Sequence, residues 1–96
     1  MSRASTKAVR FTAKQGQYLA FIHAYTRVNG CAPAEADMER YFGVTPPSVH
    51  RMVIELENRG LIQRVPRQSR SIKVLLSSED IPPLLNRPIK TSASGY

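Results

Sequence analysis

The sequence is poor in the features of secreted and membrane proteins. Its 96 residues include one cysteine, Cys31, and no tryptophan. A single thiol cannot form an internal disulfide and is typical of a reducing compartment. No apolar run approaches the roughly 20 residues of a transmembrane helix, and the first residues, MSRASTKAVR, lack the apolar core of a secretory signal. We therefore expect a cytoplasmic protein with no membrane partner.

Residues suited to catalysis or metal binding are also scarce. The two histidines and the cysteine do not have the spacing of zinc ligands. Cys31 follows the first predicted helix and His23 falls on the solvent side of that helix, so no base is placed to activate the thiol. We expect no enzymatic activity, no metal site and no cofactor.

Acidic residues are outnumbered: 14 Lys and Arg stand against 7 Asp and Glu, which gives a net charge of +7. The basic residues are segregated. Residues 51–73 hold six cations and two glutamates, and residues 1–14 hold four cations and no acid. Segregated positive charge is typical of a surface that binds a polyanion, nucleic acid before an anionic membrane. A basic but otherwise ordinary surface is the alternative.

Three helices are predicted, each with a start signal and a terminal glycine. The starts are the capping box of Thr12 and Gln15, then Pro33, then Thr45 with Pro46. The ends are Gly30, Gly43 and Gly60. The predicted apolar faces are Tyr18, Phe21, Ile22, Tyr25 and Val28, with Leu19 at the edge, in the first helix; Ala34, Met38, Tyr41 and Phe42 in the second; and Val49, Met52, Val53 and Leu56 in the third.

Two β-rich runs, residues 61–65 and 71–76, follow the helices and flank a basic tip at 66–70. They predict a hairpin with Arg64 and Lys73 as cross-strand neighbours and with apolar positions at Ile62, Val65, Ile72 and Val74. The fold class is therefore mainly α with a small β-hairpin, a three-helix winged helix-turn-helix domain.

The winged helix-turn-helix is expected to span residues 12–76. A flexible basic arm precedes it at 1–11, where the cations either follow a DNA backbone or only aid solubility. A proline-containing tail follows at 77–96, packing locally through Ile81, Leu84 and Leu85 and partly disordered beyond them.

Five short matches, in order, resemble the DNA-binding domain of the LexA repressor family and, more loosely, MarR-type winged helices. They are Phe11-Thr12-Ala13-Lys14-Gln15, Pro33, Gly43, Asn58-Arg59-Gly60-Leu61-Ile62 and Ser69-Arg70-Ser71-Ile72-Lys73-Val74-Leu75. The resemblance covers residues 11–75 and implies a winged helix that binds DNA.

The departures from the LexA pattern change what the resemblance implies. The turn into the third helix has the shorter MarR-like length. The positions that read the operator in LexA carry Pro47, His50 and Arg51, so the LexA operator is not the expected target. Ala34 replaces a capping threonine, which predicts a less well anchored second helix. No Ala-Gly cleavage pair is present and the tail is short, so a LexA-type self-cleaving protease domain is not expected.

We predict DNA contacts at three places. Thr45, Pro47 and Ser48 lie in the first turn of the third helix, where amides favour a phosphate, although Thr45 and Ser48 are also suited to capping. Arg51 is suited to a guanine edge, a phosphate or an ion pair with Glu55, and His50 to DNA or solvent. The remaining predicted contacts are on the wing, at Arg64, Arg67, Arg70 and Lys73, and solvated arginines are the alternative at its tip.

The sequence thus predicts a repressor-like transcription regulator that binds specific sites in double-stranded DNA and is nucleoid-associated. A homodimer on an inverted repeat would add affinity. The alternative is a winged-helix adaptor that binds another protein and does not read DNA sequence.

Overall fold

The computed structural model describes residues 11–85. Three helices are followed by a two-stranded antiparallel hairpin and one 3-10 turn: α1 (Ala13–Asn29), α2 (Glu35–Phe42), α3 (Pro46–Asn58), β1 (Ile62–Gln63), β2 (Lys73–Val74) and the turn Ser78–Asp80. The predicted winged helix-turn-helix is confirmed. The basic arm at 1–10 and the end of the tail at 86–96 lie outside the described residues.

The predicted helix starts are confirmed at two of three places. The Thr12 hydroxyl accepts the Gln15 backbone N–H at 3.1 Å, and the Gln15 side chain accepts the Thr12 N–H at 3.0 Å. Thr45 caps α3 with its hydroxyl alone, which accepts the Ser48 backbone N–H at 3.4 Å. The start at Pro33 is wrong by two residues, because Ala34 is still extended at ψ 165° and α2 begins at Glu35.

The core forms where the three helices and the hairpin meet. Its fully buried side chains include Leu19, Met38, Leu56 and Ile62. The aromatic side chains pack on one another, with Tyr18 stacked on Phe42 and Phe21 stacked on Tyr41, as expected for core residues.

Two positions on α1 differ from the predicted apolar face. Leu19, placed at the edge, is fully buried, whereas Val28 is 83% exposed. Residues 26–30 are all exposed, so the last turn of α1 has no element packed against Val28. Helical periodicity gives the direction of a side chain but does not show whether a neighbour reaches it.

The hairpin is shorter than predicted, with two residues in each strand. Lys73 pairs with Gln63 rather than lying opposite Arg64, so the predicted cross-strand pair of Arg64 and Lys73 is wrong. Val65 is 51% exposed, because beyond Gln63 the strands separate. The Ser71 hydroxyl closes the hairpin there, accepting the Val65 N–H at 2.9 Å and donating to the Val65 carbonyl at 3.2 Å.

Residues 81–85, the C-terminal strap, cross the N-terminal half of α1. The Gln17 amide binds the strap backbone twice: its Nε2 donates to the Pro83 carbonyl at 3.0 Å, and its Oε1 accepts the Leu85 N–H at 2.8 Å. Pro82 and Phe11 both contact Gly16, where a Cβ would lie 3.0 Å from each ring. Both ends of the described chain therefore meet at α1.

The strap side chains divide between core and solvent. Leu84 packs against the core, and the side chain of Leu85 is exposed. Within residues 11–85, none of the helices has the length and apolar character needed to span a bilayer.

Candidate nucleic-acid interface

The outer face of α3 is exposed at its start, its middle and its end. Val49, Val53 and Leu56 are fully buried on the inner face, while Pro47, Arg51 and Asn58 are exposed on the opposite face. We call these three exposed residues the α3 ridge. The helix therefore docks through one face and leaves the other for a partner.

Arg51 stands on this ridge without an ion pair to any residue in 11–85. The predicted alternative pairing with Glu55 is not formed. Instead, the Glu55 carboxylate accepts from the Gln15 side chain at 3.2 Å, which ties α3 to the start of α1. The guanidinium of Arg51 is thus available for an external acceptor.

A groove of about 560 Å³, the wing-side groove, separates the α2–α3 unit from the wing. His50 and Glu35 line one wall, with His50 Nδ1 3.4 Å from Glu35 Oε2. Arg64 and Arg67 line the other wall. Four of the predicted site residues, His50, Arg64, Arg67 and Arg70, border this one groove.

The basic residues of the wing differ in their environments. Arg64 Nε donates to Glu57 Oε1 at 3.1 Å, and only 18% of the Arg64 side chain is exposed. Arg67, at the tip, is exposed and has a left-handed backbone (φ 67°). Lys73 is exposed on β2. Among the described residues, Arg67 and Lys73 have no acidic partner.

Arg70 folds back onto the helices. Its Nη1 lies 3.1 Å from the Tyr25 hydroxyl, 3.3 Å from the Ala32 carbonyl and 3.3 Å from Asp37 Oδ2. The Ala34 backbone N–H donates to Asp37 and lowers the pKa of that carboxyl, and the charges of Arg70 and Arg40 lower it further. Sequence reasoning found neither Tyr25 nor Asp37 as partners of the wing.

A second groove, of about 310 Å³, lies on the other side of the ridge and is the α1-side groove. The start of α1 forms one wall with Thr12 and Lys14, and α3 forms the other with Ser48 and Arg51. The Thr45 and Ser48 hydroxyls lie 2.9 Å apart. Thr45 therefore caps α3, as predicted, and its contact with DNA stays a prediction.

Lys14 was missed as a site residue by sequence reasoning. The only signal was the excess of basic residues in 1–14, which does not show that α1 begins beside α3. In the structure Lys14 is exposed and lines the same groove as Arg51.

Comparisons with known proteins agree with this arrangement. The model of the LexA DNA binding domain family matches residues 8–71. A LexA repressor from Thermosipho melanesiensis is 40% identical over 72 residues, which are 75% of this chain and 36% of that protein. A LexA repressor from Thermosipho africanus is 37% identical over 70 residues, 73% of this chain and 35% of that protein.

The chain thus spans about a third of the length of these relatives. The matched region contains all three helices and the wing tip with Arg67 and Arg70. Since the family model covers most of the chain and the fold is the one that the family implies, this chain belongs to the LexA DNA-binding domain family.

Proposed function

We propose that this protein binds specific sites in double-stranded DNA and represses transcription. The observation that carries the proposal is the exposed α3 ridge with a groove on each side, and these grooves bear cations that form no ion pair within residues 11–85. Lys14 and Arg51 line the α1-side groove, and Arg67 lines the wing-side groove. The family membership and the names of the relatives support the same function.

The dimensions of the interface suit a DNA duplex. An α-helix with its side chains is about 10–12 Å wide, and the major groove of B-DNA is about 12 Å wide. With α3 in the major groove, the phosphate strands on its two sides fall against the two protein grooves. Arg51 then points to the base edges, and Arg67 reaches the backbone beside the wing.

The side chains on the α3 ridge favour particular bases. Arg51 offers a bidentate donor pair, which matches the two acceptors of guanine. Asn58 can donate and accept, as adenine requires. The family membership and the residues on the α3 ridge together support DNA binding at an operator that differs from the LexA operator.

One winged helix buries a modest area on DNA, so we include a second copy in the proposal. Two domains on an inverted repeat would double the contacts and match the two-fold symmetry of the site. The protein would then act as a nucleoid-associated regulator in the cytoplasm, and the proposal requires no catalytic step.

The test is selection from random duplexes followed by fluorescence anisotropy on the enriched duplex. We expect an enriched, palindromic site and a salt-sensitive Kd. Arg51→Ala should weaken binding by about 1–3 kcal/mol and relax the preference at one base pair. The matched control is Arg27→Ala, which removes an exposed arginine that lines neither groove.

Three outcomes are distinct. The proposal is supported if the unaltered protein enriches a specific site and Arg51→Ala weakens binding to that site. Salt-sensitive binding without enrichment leaves a non-specific DNA-binding protein. Absence of binding at low salt contradicts DNA binding and leaves the adaptor, a winged helix that docks on another protein.

A further inference from the structure

We propose that Arg70 is a positioning residue that fixes the wing against α1 and α2, and that it does not hold a DNA phosphate. This inference rests on the proposed DNA binding and deepens it, because it divides the wing cations into one that orients the wing and others that contact DNA. It reverses the expectation that the sequence gives for Arg70.

The contacts of Arg70 join the wing to three separate segments. Nη1 contacts Tyr25 on α1, the Ala32 carbonyl in the connection that follows α1, and Asp37 on α2. One nitrogen carries two N–H groups and here faces three oxygen atoms within 3.3 Å. That end of the guanidinium is therefore fully used inside the protein.

Asp37 is held in place independently of the wing. Its Oδ2 accepts the Ala34 N–H at 2.8 Å, its Oδ1 accepts from Arg40, and 12% of its side chain is exposed. A carboxylate fixed by two other donors presents a preorganised acceptor, so little side-chain entropy is lost when Arg70 docks on it.

The backbone of the wing also requires such a contact. Arg67 and Arg70 both have left-handed φ values, 67° and 59°, which cost free energy for residues other than glycine. The hairpin has only two residue pairs, Ile62 with Val74 and Gln63 with Lys73, and the nine residues between them are closed by the Ser71 hydroxyl on Val65. These contacts lie within the wing, and the Arg70 contacts join it to the helices.

The consequence is a fixed wing-side groove. Arg67 lines that groove, and its position relative to His50 on α3 depends on where the tip is held. Releasing Arg70 would let the tip move away from α3, and Arg67 would lose its phosphate contact through displacement.

Tyr25→Phe tests this without touching a DNA-facing group. It removes one oxygen atom, leaves the net charge unchanged, and alters a residue that lines neither groove. On the selected duplex, we expect Tyr25→Phe to raise Kd by about three- to tenfold, the net value of one intramolecular hydrogen bond that helps hold the wing. In the Tyr25→Phe background, Arg67→Gln should then cost less than it does in the wild type.

Tyr41→Phe is the matched control. It also removes one tyrosine hydroxyl. The Tyr25 hydroxyl accepts from Arg70, and the Tyr41 hydroxyl donates to the Leu85 carbonyl in the C-terminal strap at 2.7 Å. We expect Tyr41→Phe to leave Kd and the effect of Arg67→Gln unchanged. Thermal unfolding of both variants shows whether they lose comparable stability.

Arg70→Gln and Arg70→Lys complete the experiment. A positioning role predicts that neither restores wild-type binding, because the side-chain nitrogens of glutamine and lysine lie fewer bonds from Cα than the Nη1 that reaches Tyr25, Ala32 and Asp37. A phosphate contact predicts that Arg70→Lys binds nearly as well as the wild type. It also predicts that DNA binding by Arg70→Gln releases about one counterion fewer, so that the slope of log K against log[salt] is less steep by about 0.9.

The inference is overturned if Tyr25→Phe binds like the wild type, or if Tyr25→Phe and Tyr41→Phe weaken binding equally. Failure of the proposed function is separate from both results, since it would appear as the absence of salt-sensitive binding by the unaltered protein.

Discussion

Removing the charge of Arg67 should change the salt dependence of DNA binding, and removing that of Arg64 should not. Arg67 is exposed and has no acidic partner in residues 11–85, so a phosphate that it contacts releases a condensed counterion. Arg64 is already paired with Glu57 at 3.1 Å. The two residues lie in the same wing and differ in whether the charge is neutralised before DNA arrives.

The size of the effect follows from the number of unpaired cations near the interface. Three cations in residues 11–85 are unpaired and are proposed to contact phosphates: Lys14, Arg67 and Lys73. At about 0.9 ions per phosphate contact, they give a slope of about −2.7 in log K against log[salt], or about a 40-fold loss of affinity between 50 and 200 mM salt. Without Arg67 the loss becomes about 12-fold.

Cations outside the described residues add equally to both values, so the difference between the variants is the quantity to measure. Anisotropy titrations of Arg67→Gln and Arg64→Gln at four or more salt concentrations give both slopes. Arg64→Gln should weaken binding at every salt concentration, because it leaves Glu57 unpaired near the phosphates, with a slope close to that of the wild type. Equal slope changes in the two variants would refute this reasoning.

Two further predictions concern stability, measured by urea denaturation. Leu19→Ala should lower the free energy of unfolding by about 2–5 kcal/mol, because the Leu19 side chain is fully buried. Val28→Ala should change it by no more than about 0.5 kcal/mol, because Val28 is exposed. Similar losses in the two variants would contradict the burial assigned to the two sites. The Asp37 carboxyl has a lowered pKa in the fold, so its contribution is present above its unfolded pKa of about 3.9 and is lost as the pH falls through the folded value. Asp37→Asn should therefore lose less stability than the wild type between pH 7 and pH 3, and an unchanged pH profile would count against the contacts of Asp37.

The sequence predicted what depends on neighbouring residues. The capping box of Thr12 and Gln15 and the stop at Gly30 are local signals, and α1 begins and ends where they indicate. The predicted end of α2 at Gly43 is also confirmed. A helix that ends in the left-handed conformation favours glycine at that position, and this preference is local to the chain. The order of the elements, three helices and then a hairpin, predicted the winged helix-turn-helix, and the resemblance to the LexA family implied the same fold.

What the sequence did not predict depends on tertiary distance. The partners Tyr25 and Arg70 are 45 residues apart, and no period or spacing connects them. The pairing of Lys73 with Gln63 instead of Arg64 is a shift of one residue in register, which alternation alone leaves undetermined when both strands are short. The place of Lys14 beside Arg51 required the packing of α1 against α3.

Phe11 and Pro82 both pack on Gly16, so the two ends of the described chain lie on the same part of α1. This placement makes the fold a candidate for circular permutation. A short linker could join residue 85 to residue 11, and a new start could be cut between residues 68 and 69 at the exposed tip. In such a circular permutant the two wing strands become the two chain ends, while the helices keep their order and their core. The covalent continuity of the wing could then be removed or restored with the folding of the helices left intact.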